Sequence, residues 1–184
     1  MDVDQKLMQR ASNGDSEAFG ELIRRHQQLA WGLAYRLLRD PGEAEDVAQE
    51  AFLKILRNAD SYKPSAQFNT YLTRVVTRLC YDRWDKKKPV YIEPAKQGVN
   101  PSCSPSPLDG FIAEEETKRV QKAIDELPRR QKTALYLRYY EDYGYTEIAA
   151  TLETSEKGAE RLLARGREQL RQKLTVNEEN NSGV

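Results

Sequence analysis

Five of the eight prolines fall in one short stretch of the chain. Pro89, Pro94, Pro101, Pro105 and Pro107 span 19 residues, with Gly98, Asn100 and three serines among them. Proline removes a backbone donor and clashes with the preceding helical turn, so no helix can run through this stretch. It also has too few apolar residues to build a core, which makes it a linker. The expected organisation is an N-terminal domain over 1–87, a flexible linker over 88–112 and a C-terminal domain over 113–175. A polar tail over 176–184, rich in Asn and Glu, is expected to be disordered.

Both flanking segments have apolar residues at helical spacing, and no β-type alternation of useful length interrupts them. The fold class is all-α, with the second domain ending in a helix-turn-helix. A helix from about Ser16 to Leu38 follows Asn13-Gly14-Asp15, capped by Asp15 or Ser16. Asp40-Pro41 reads as an N-cap followed by proline at the first helical position. The helix after it places Ala44, Val47, Ala48, Ala51, Phe52, Ile55 and Leu56 on one face. A loop over Asp60–Gln67 precedes a third helix from about Phe68 to Lys87, whose inward residues are Phe68, Leu72, Val75, Val76 and Leu79. In the second domain one helix ends near Leu127, Pro128 starts another over Arg129–Glu141, and Gly144 breaks the chain. Short and long helices are then expected over Thr146–Leu152 and Ser155–Leu174.

The net charge is zero, with 29 basic and 29 acidic residues, yet the charges are segregated. Ser61–Lys88 holds seven basic residues against two acidic, and Lys157–Lys173 six against two. Acidic residues gather at Asp40–Glu50 and Glu114–Glu126. Local field rather than net charge attracts phosphates, so two separate basic segments suit two contacts with nucleic acid. The single histidine, His26, shares a stripe with Leu22, Ile23, Ala30 and Leu33, and reads as an edge-of-core residue. No catalytic residues, metal site or cofactor are expected, because no nucleophile–base pairing and no Gly-rich phosphate loop is present. Cys80 and Cys103 make no disulfide framework, and no signal peptide or membrane-length apolar run is visible. A cytoplasmic protein, not embedded in a membrane, is therefore expected.

Three surfaces carry the functional expectations. On the last helix, Ala159, Leu162, Leu163, Gly166, Leu170 and Leu174 fall within an arc of roughly 120°. Lys157, Arg161, Arg165 and Arg171 lie opposite, Arg167 sits at the margin, and Ser155 caps the helix. Such a cationic face suits a phosphate-lined major groove. Glu153 stands where a glycine often makes the turn between the two helices. On the helix from Phe68, Thr70, Thr73, Arg74, Thr77, Tyr81 and Trp84 are expected opposite the apolar stripe, beside Arg78. Basic groups interleaved with rings and hydroxyls suit melted or single-stranded nucleic acid; Tyr81 and Trp84 packing beneath the linker is the alternative. On the helix from Pro41, Asp46, Gln49, Glu50, Leu53 and Arg57 face away from the core. An apolar anchor in a charged, largely acidic rim suits a protein partner rather than phosphates.

Several strings taken together resemble the extracytoplasmic-function group of sigma factors. They are Gly14-Asp-Ser-Glu-Ala-Phe-Gly-Glu-Leu22, Asp40-Pro-Gly-Glu-Ala-Glu-Asp-Val-Ala-Gln-Glu-Ala-Phe52, and Phe68-Asn-Thr-Tyr-Leu72 with Asp82-Arg83. In the second domain they are Leu127-Pro-Arg-Arg-Gln131, Tyr145-Thr-Glu-Ile-Ala-Ala150 and Leu162-Leu-Ala-Arg-Gly-Arg167. The resemblance implies a subunit that directs core RNA polymerase to promoters and helps melt the −10 element. It implies that Asp46, Gln49, Glu50, Leu53 and Arg57 meet the polymerase clamp. Ser61, Tyr62 and Lys63 would lie in a loop that captures an extruded −10 base. Asn69, Thr70, Arg74, Thr77, Arg78, Tyr81 and Trp84 would contact neighbouring −10 bases and phosphates. The second domain would bind the polymerase flap and read the −35 element through Ser155, Lys157, Arg161, Arg165, Arg167 and Arg171. An anti-sigma protein is the further partner implied. Arg78 stands where the family commonly has asparagine, and Glu160 and Leu162 also depart from the usual recognition helix. On the residues alone, a stand-alone dimeric helix-turn-helix regulator and a helical adaptor without DNA contact remain as rival readings.

Overall fold

The computed structural model describes residues 3–59, 67–86 and 117–181, with side chains to 175. Among these residues are eight helices and no strand, and the chain divides into two compact units. The expected linker over 88–112, Cys103, and the loop residues Ser61, Tyr62 and Lys63 lie outside the described residues.

The first unit holds α1 (Val3–Ser12), α2 (Ser16–Leu38), α3 (Pro41–Arg57) and α4 (Phe68–Lys86). Helix α1 has no counterpart among the sequence expectations, although Leu7, Met8 and Ala11 give it a buried stripe. Gly14, at φ +89°, turns the chain into α2, where the Ala18 N–H donates to Asp15 Oδ1 at 3.0 Å. That amide, with Arg10 beside it, holds the Asp15 carboxyl below its ordinary pKa. Arg39 ends α2 in the left-handed conformation, and its N–H bonds Tyr35 O. Asp40 then caps α3 through the Glu43 N–H at 2.8 Å, with Pro41 in the first turn.

The core of this unit is Met8, Leu22, Leu33, Leu37, Val47, Ile55, Phe68, Leu72 and Val76, all essentially out of solvent. Burying each such side chain stabilises the fold by about 1.5–3 kcal/mol. Phe19 meets Phe52 edge to face, with centroids 6.5 Å apart. His26 is buried, packs 5.0 Å from the Phe68 ring, and donates from Nε2 to Asp4 Oδ2 at 2.9 Å. Arg25 Nε donates to the other oxygen of the same carboxylate. The edge-of-core reading of His26 holds, and its partner comes from α1, a segment remote in sequence.

The second unit is built around α5 (helical over 117–125), α6 (Arg129–Tyr139) and α8 (Glu156–Asn181). The short α7 (Tyr145–Thr151) precedes α8 across a tight turn. Gln121 Nε2 donates to the Tyr136 hydroxyl at 2.8 Å, and Lys132 Nζ to Asp125 Oδ1 at 3.1 Å, joining α5 to α6. Lys173 Nζ bonds Glu126 Oε2 at 2.6 Å; this bond and the lysine charge hold Glu126 below the usual carboxylate range. A Cβ on Gly166 would stand 3.3 Å from Leu135, so a glycine there lets α8 lie close to α6.

The turn into α8 has the capping chemistry expected of it. The Gly158 N–H donates to Ser155 Oγ at 3.1 Å, and Thr154 N–H returns to Ala149 O at 2.9 Å. Glu153 occupies the left-handed region at φ +50°, the place where glycine is commonest. At its far end α8 continues to Asn181, where an unstructured tail from Val176 was expected. The first residue after Leu174 that breaks a helix is Gly183, so nothing in the local sequence stops the helix earlier.

Candidate partner and nucleic-acid surfaces

The outward face of α3 is placed as expected. Asp46, Gln49, Glu50 and Arg57 are exposed, and Leu53 is 51% exposed among them. Leu56 departs from expectation: it is 41% exposed instead of joining the core stripe. Three residues after Leu53, it lies one turn along on an adjoining part of the surface, so α3 shows two apolar side chains within one polar rim. Gln49 Nε2 donates to Glu45 at 2.9 Å along the helix.

Against this face stands Arg83 of α4. Its guanidinium lies 3.2 Å from Glu50, 3.6 Å from Asp46 and 3.8 Å from Glu43. Burial opposes the charge on Arg83, but the Glu50 hydrogen bond and the fields of the carboxylates outweigh it, so its pKa lies above the ordinary guanidinium value. In the sequence Arg83 stands out only as part of the Asp82-Arg83 string. A signal was present: Arg83 falls four residues after Leu79, within about 20° of the Leu72 direction on a helical wheel. A charge on a core stripe requires partners.

The outward face expected on α4 is only partly there. Arg74 and Arg78 are exposed, Tyr81 and Trp84 are half-buried, and their rings stack with centroids 5.4 Å apart. The Arg74 guanidinium sits 5.6 Å from the Tyr71 ring centre. Thr70, Thr73 and Thr77, however, are buried at 6%, 0% and 2% exposure and cannot face nucleic acid. The cause is that α4 packs against both α2 and α3, so its buried arc is much wider than one apolar stripe. Threonine fits the flanks of that arc because its methyl packs like that of valine. Thr77 Oγ1 and Asn69 Oδ1 are both buried without a hydrogen-bond partner.

Helix α8 separates its six candidates into two groups. Lys157, Arg161 and Arg165 are exposed on the first turns, following the Ser155 cap. Arg167 and Arg171 are exposed as well, but they flank a cleft of about 430 Å³ between α5, α6 and α8. Its walls are mainly Ile124, Leu135, Tyr139, Tyr140, Leu170 and Leu174. Arg171 also bonds Glu168 at 2.8 Å. Tyr139 and Tyr140 are 60% and 56% exposed at the mouth of this cleft, a surface absent from the sequence expectations. Two adjacent aromatics at the end of a short helix were its visible signal. Among the described residues no helix is long and apolar enough to cross a membrane.

Residues 22–90 match the sigma-70 region 2 family and residues 117–170 the sigma-70 region 4 family. The chain is 32% identical to the ECF RNA polymerase sigma factor SigW of Bacillus subtilis, over 92% of this chain and 95% of that one. It is 31% identical to the RNA polymerase sigma-H factor of Pseudomonas aeruginosa, over 82% of each. The fold is shared with CnrH, solved with the cytosolic domain of CnrY, at a TM-score of 0.71 and 23% identity, over 95% of this chain and 99% of that one. It is shared also with RpoE of Bartonella quintana, solved with the anti-sigma factor NepR, at 0.68 and 19%, over 86% and 97%. The chain belongs to the extracytoplasmic-function sigma factors, the RNA polymerase subunits that direct promoter-specific initiation of transcription.

Proposed function

We propose that residues 1–87 dock on the polymerase clamp through the α3 face and engage the −10 element through α4. The clamp contact is formed by Asp46, Gln49, Glu50, Leu53 and Arg57. Arg74 and Arg78 attract phosphates, and the Tyr81–Trp84 stack offers a platform for unpaired bases. Ser61, Tyr62 and Lys63, in the segment that precedes α4, take the flipped base, and Asn69 in the first turn of α4 contacts its neighbours. Residues 113–175 read the −35 element and hold the flap, and the linker over 88–112 joins the two. The geometry of α8 favours Ser155, Lys157, Arg161 and Arg165 for DNA. Arg167 and Arg171 then rim a cleft suited to an apolar element of the flap. The factor is non-catalytic, needs no cofactor or metal, and works in the cytoplasm. CnrH and RpoE were each solved with a protein partner, which supports an anti-sigma protein as the regulator of this chain.

The single observation that carries the polymerase assignment is Leu53, half exposed beside the carboxylates of Asp46 and Glu50, while the candidate DNA-facing parts of α4 and α8 carry exposed arginines. Carboxylates repel phosphates, so this face is built for a protein. Leu53→Ala, and separately Asp46→Lys with Glu50→Lys, should weaken binding to core polymerase at least about ten-fold. Stability should move by no more than about 0.5 kcal/mol for Leu53→Ala. Binding titrations with fluorescent protein, alongside thermal melts, measure both. Full polymerase affinity in the charge-reversed variant would mean that the clamp contact lies on a surface other than this face of α3.

A further inference from the structure

Glu43, Asp46 and Glu50 follow one another along a single side of α3, and like charges at that spacing repel. Left alone they would splay into solvent and each would explore several rotamers. Arg83 reaches all three, at 3.8, 3.6 and 3.2 Å. Its side chain is 24% exposed, whereas those of Asp46 and Glu50 are 68% and 49% exposed. One guanidinium therefore holds the inner side of an acidic stripe whose outer side stays open to a partner. The stripe keeps an excess of two negative charges immediately before Leu53, the apolar anchor on the same helix. Arg83 also lies on the opposite side of α4 from Arg74, so the helix that carries the DNA contacts is tied here to the helix that carries the polymerase contacts.

We propose that Arg83 is a positioning residue for polymerase binding: it fixes Asp46 and Glu50 so that they receive basic side chains of the polymerase next to the Leu53 contact. The proposal rests on the α3 face being the polymerase surface. Arginine suits the task because its planar fork presents five donors in fixed directions, whereas lysine offers one point charge on a flexible stem. Ordering the carboxylates before encounter lowers what must be ordered on binding, and the gain appears in the lifetime of the complex.

The test uses the full chain and core polymerase, with dissociation followed by competition at fixed salt. Arg83→Met should raise the dissociation rate by about ten-fold, while association stays equal or becomes slightly faster because the face is more negative. Arg83→Lys should give an intermediate rate. Glu50→Gln should remove most of the effect, so that adding Arg83→Met to it changes the rate less than about two-fold. A purely structural role would lower the melting temperature of Arg83→Met yet leave the dissociation rate of the folded protein unchanged, and that result overturns the proposal. If Arg83→Met does not fold, Arg83→Lys decides: wild-type dissociation overturns the proposal and faster dissociation supports it. The underlying reading is tested separately. Should Asp46→Lys with Glu50→Lys bind polymerase normally, the α3 assignment itself has failed. Should that variant lose binding while Arg83→Met dissociates like wild type, only the role of Arg83 has failed.

Discussion

Helices α4 and α8 look alike as sequences. Each has an apolar stripe and, away from it, several basic groups. In the folded chain they behave differently. Helix α4 packs against α2 and α3 together, and buries Thr70, Thr73 and Thr77 along with Phe68, Leu72, Val76, Leu79 and Cys80. Helix α8 packs chiefly on α6, buries Ala159, Leu163 and Gly166, and leaves Lys157, Arg161 and Arg165 in solvent. Periodicity reports the direction in which a helix buries its residues. The number of neighbours sets how wide the buried arc becomes, and that number is not a property of the helix's own sequence.

The sharpest way to break this contrast is to place a charge on α4 where the sequence suggested a DNA-facing hydroxyl. Thr77→Lys should destabilise the first unit by at least about 3 kcal/mol, because an ammonium in the core lacks a partner. Urea denaturation followed by circular dichroism measures this. Unchanged stability with tighter DNA binding would instead return Thr77 to the nucleic-acid face.

On α8 the matching test is at Gly166, where the helix lies close against Leu135. Gly166→Val should cost about 1–3 kcal/mol, since the added carbons press on Leu135 and Gln131 at the α6 contact. A neutral result would show that the two helices can separate there freely.

A smaller effect of opposite sign sharpens the account of α4. Thr77→Val keeps the shape and removes a buried hydroxyl oxygen that has no partner. It should stabilise the protein by about 1 kcal/mol, read as a rise in the denaturation midpoint. A loss of similar size would mean that the hydroxyl makes a bond worth keeping.

The smallest change in stability belongs to the exposed arginines. Arg161→Ala and Arg165→Ala should alter stability by no more than about 0.5 kcal/mol. Each should lower the salt-dependence slope of −35 binding by about one unit if it contacts a phosphate. If either reads guanine, about 1–3 kcal/mol of discrimination should vanish at one base position instead. Binding assays at several salt concentrations on a set of promoter variants separate these outcomes. Arg171→Ala, on the cleft rim, should leave the slope near its original value.

Sequence alone determined those features whose physics is local. Asp15, Asp40 with Pro41, and Ser155 placed helix starts, because a cap needs only the amides of the next turn. The acidic and basic surfaces of α3 and α8 were likewise legible, since charged side chains with no neighbouring helix to cover them stay in water. Tertiary structure alone decided the burial of Thr70, Thr73 and Thr77, the exposure of Leu56, and the salt link from Arg83 to three carboxylates. It also decided the pairing of His26 with Asp4 and the cleft beside Tyr139 and Tyr140. Each of these depends on a helix arriving from elsewhere in the chain, and helical spacing says nothing about which neighbours arrive or how many sides they cover.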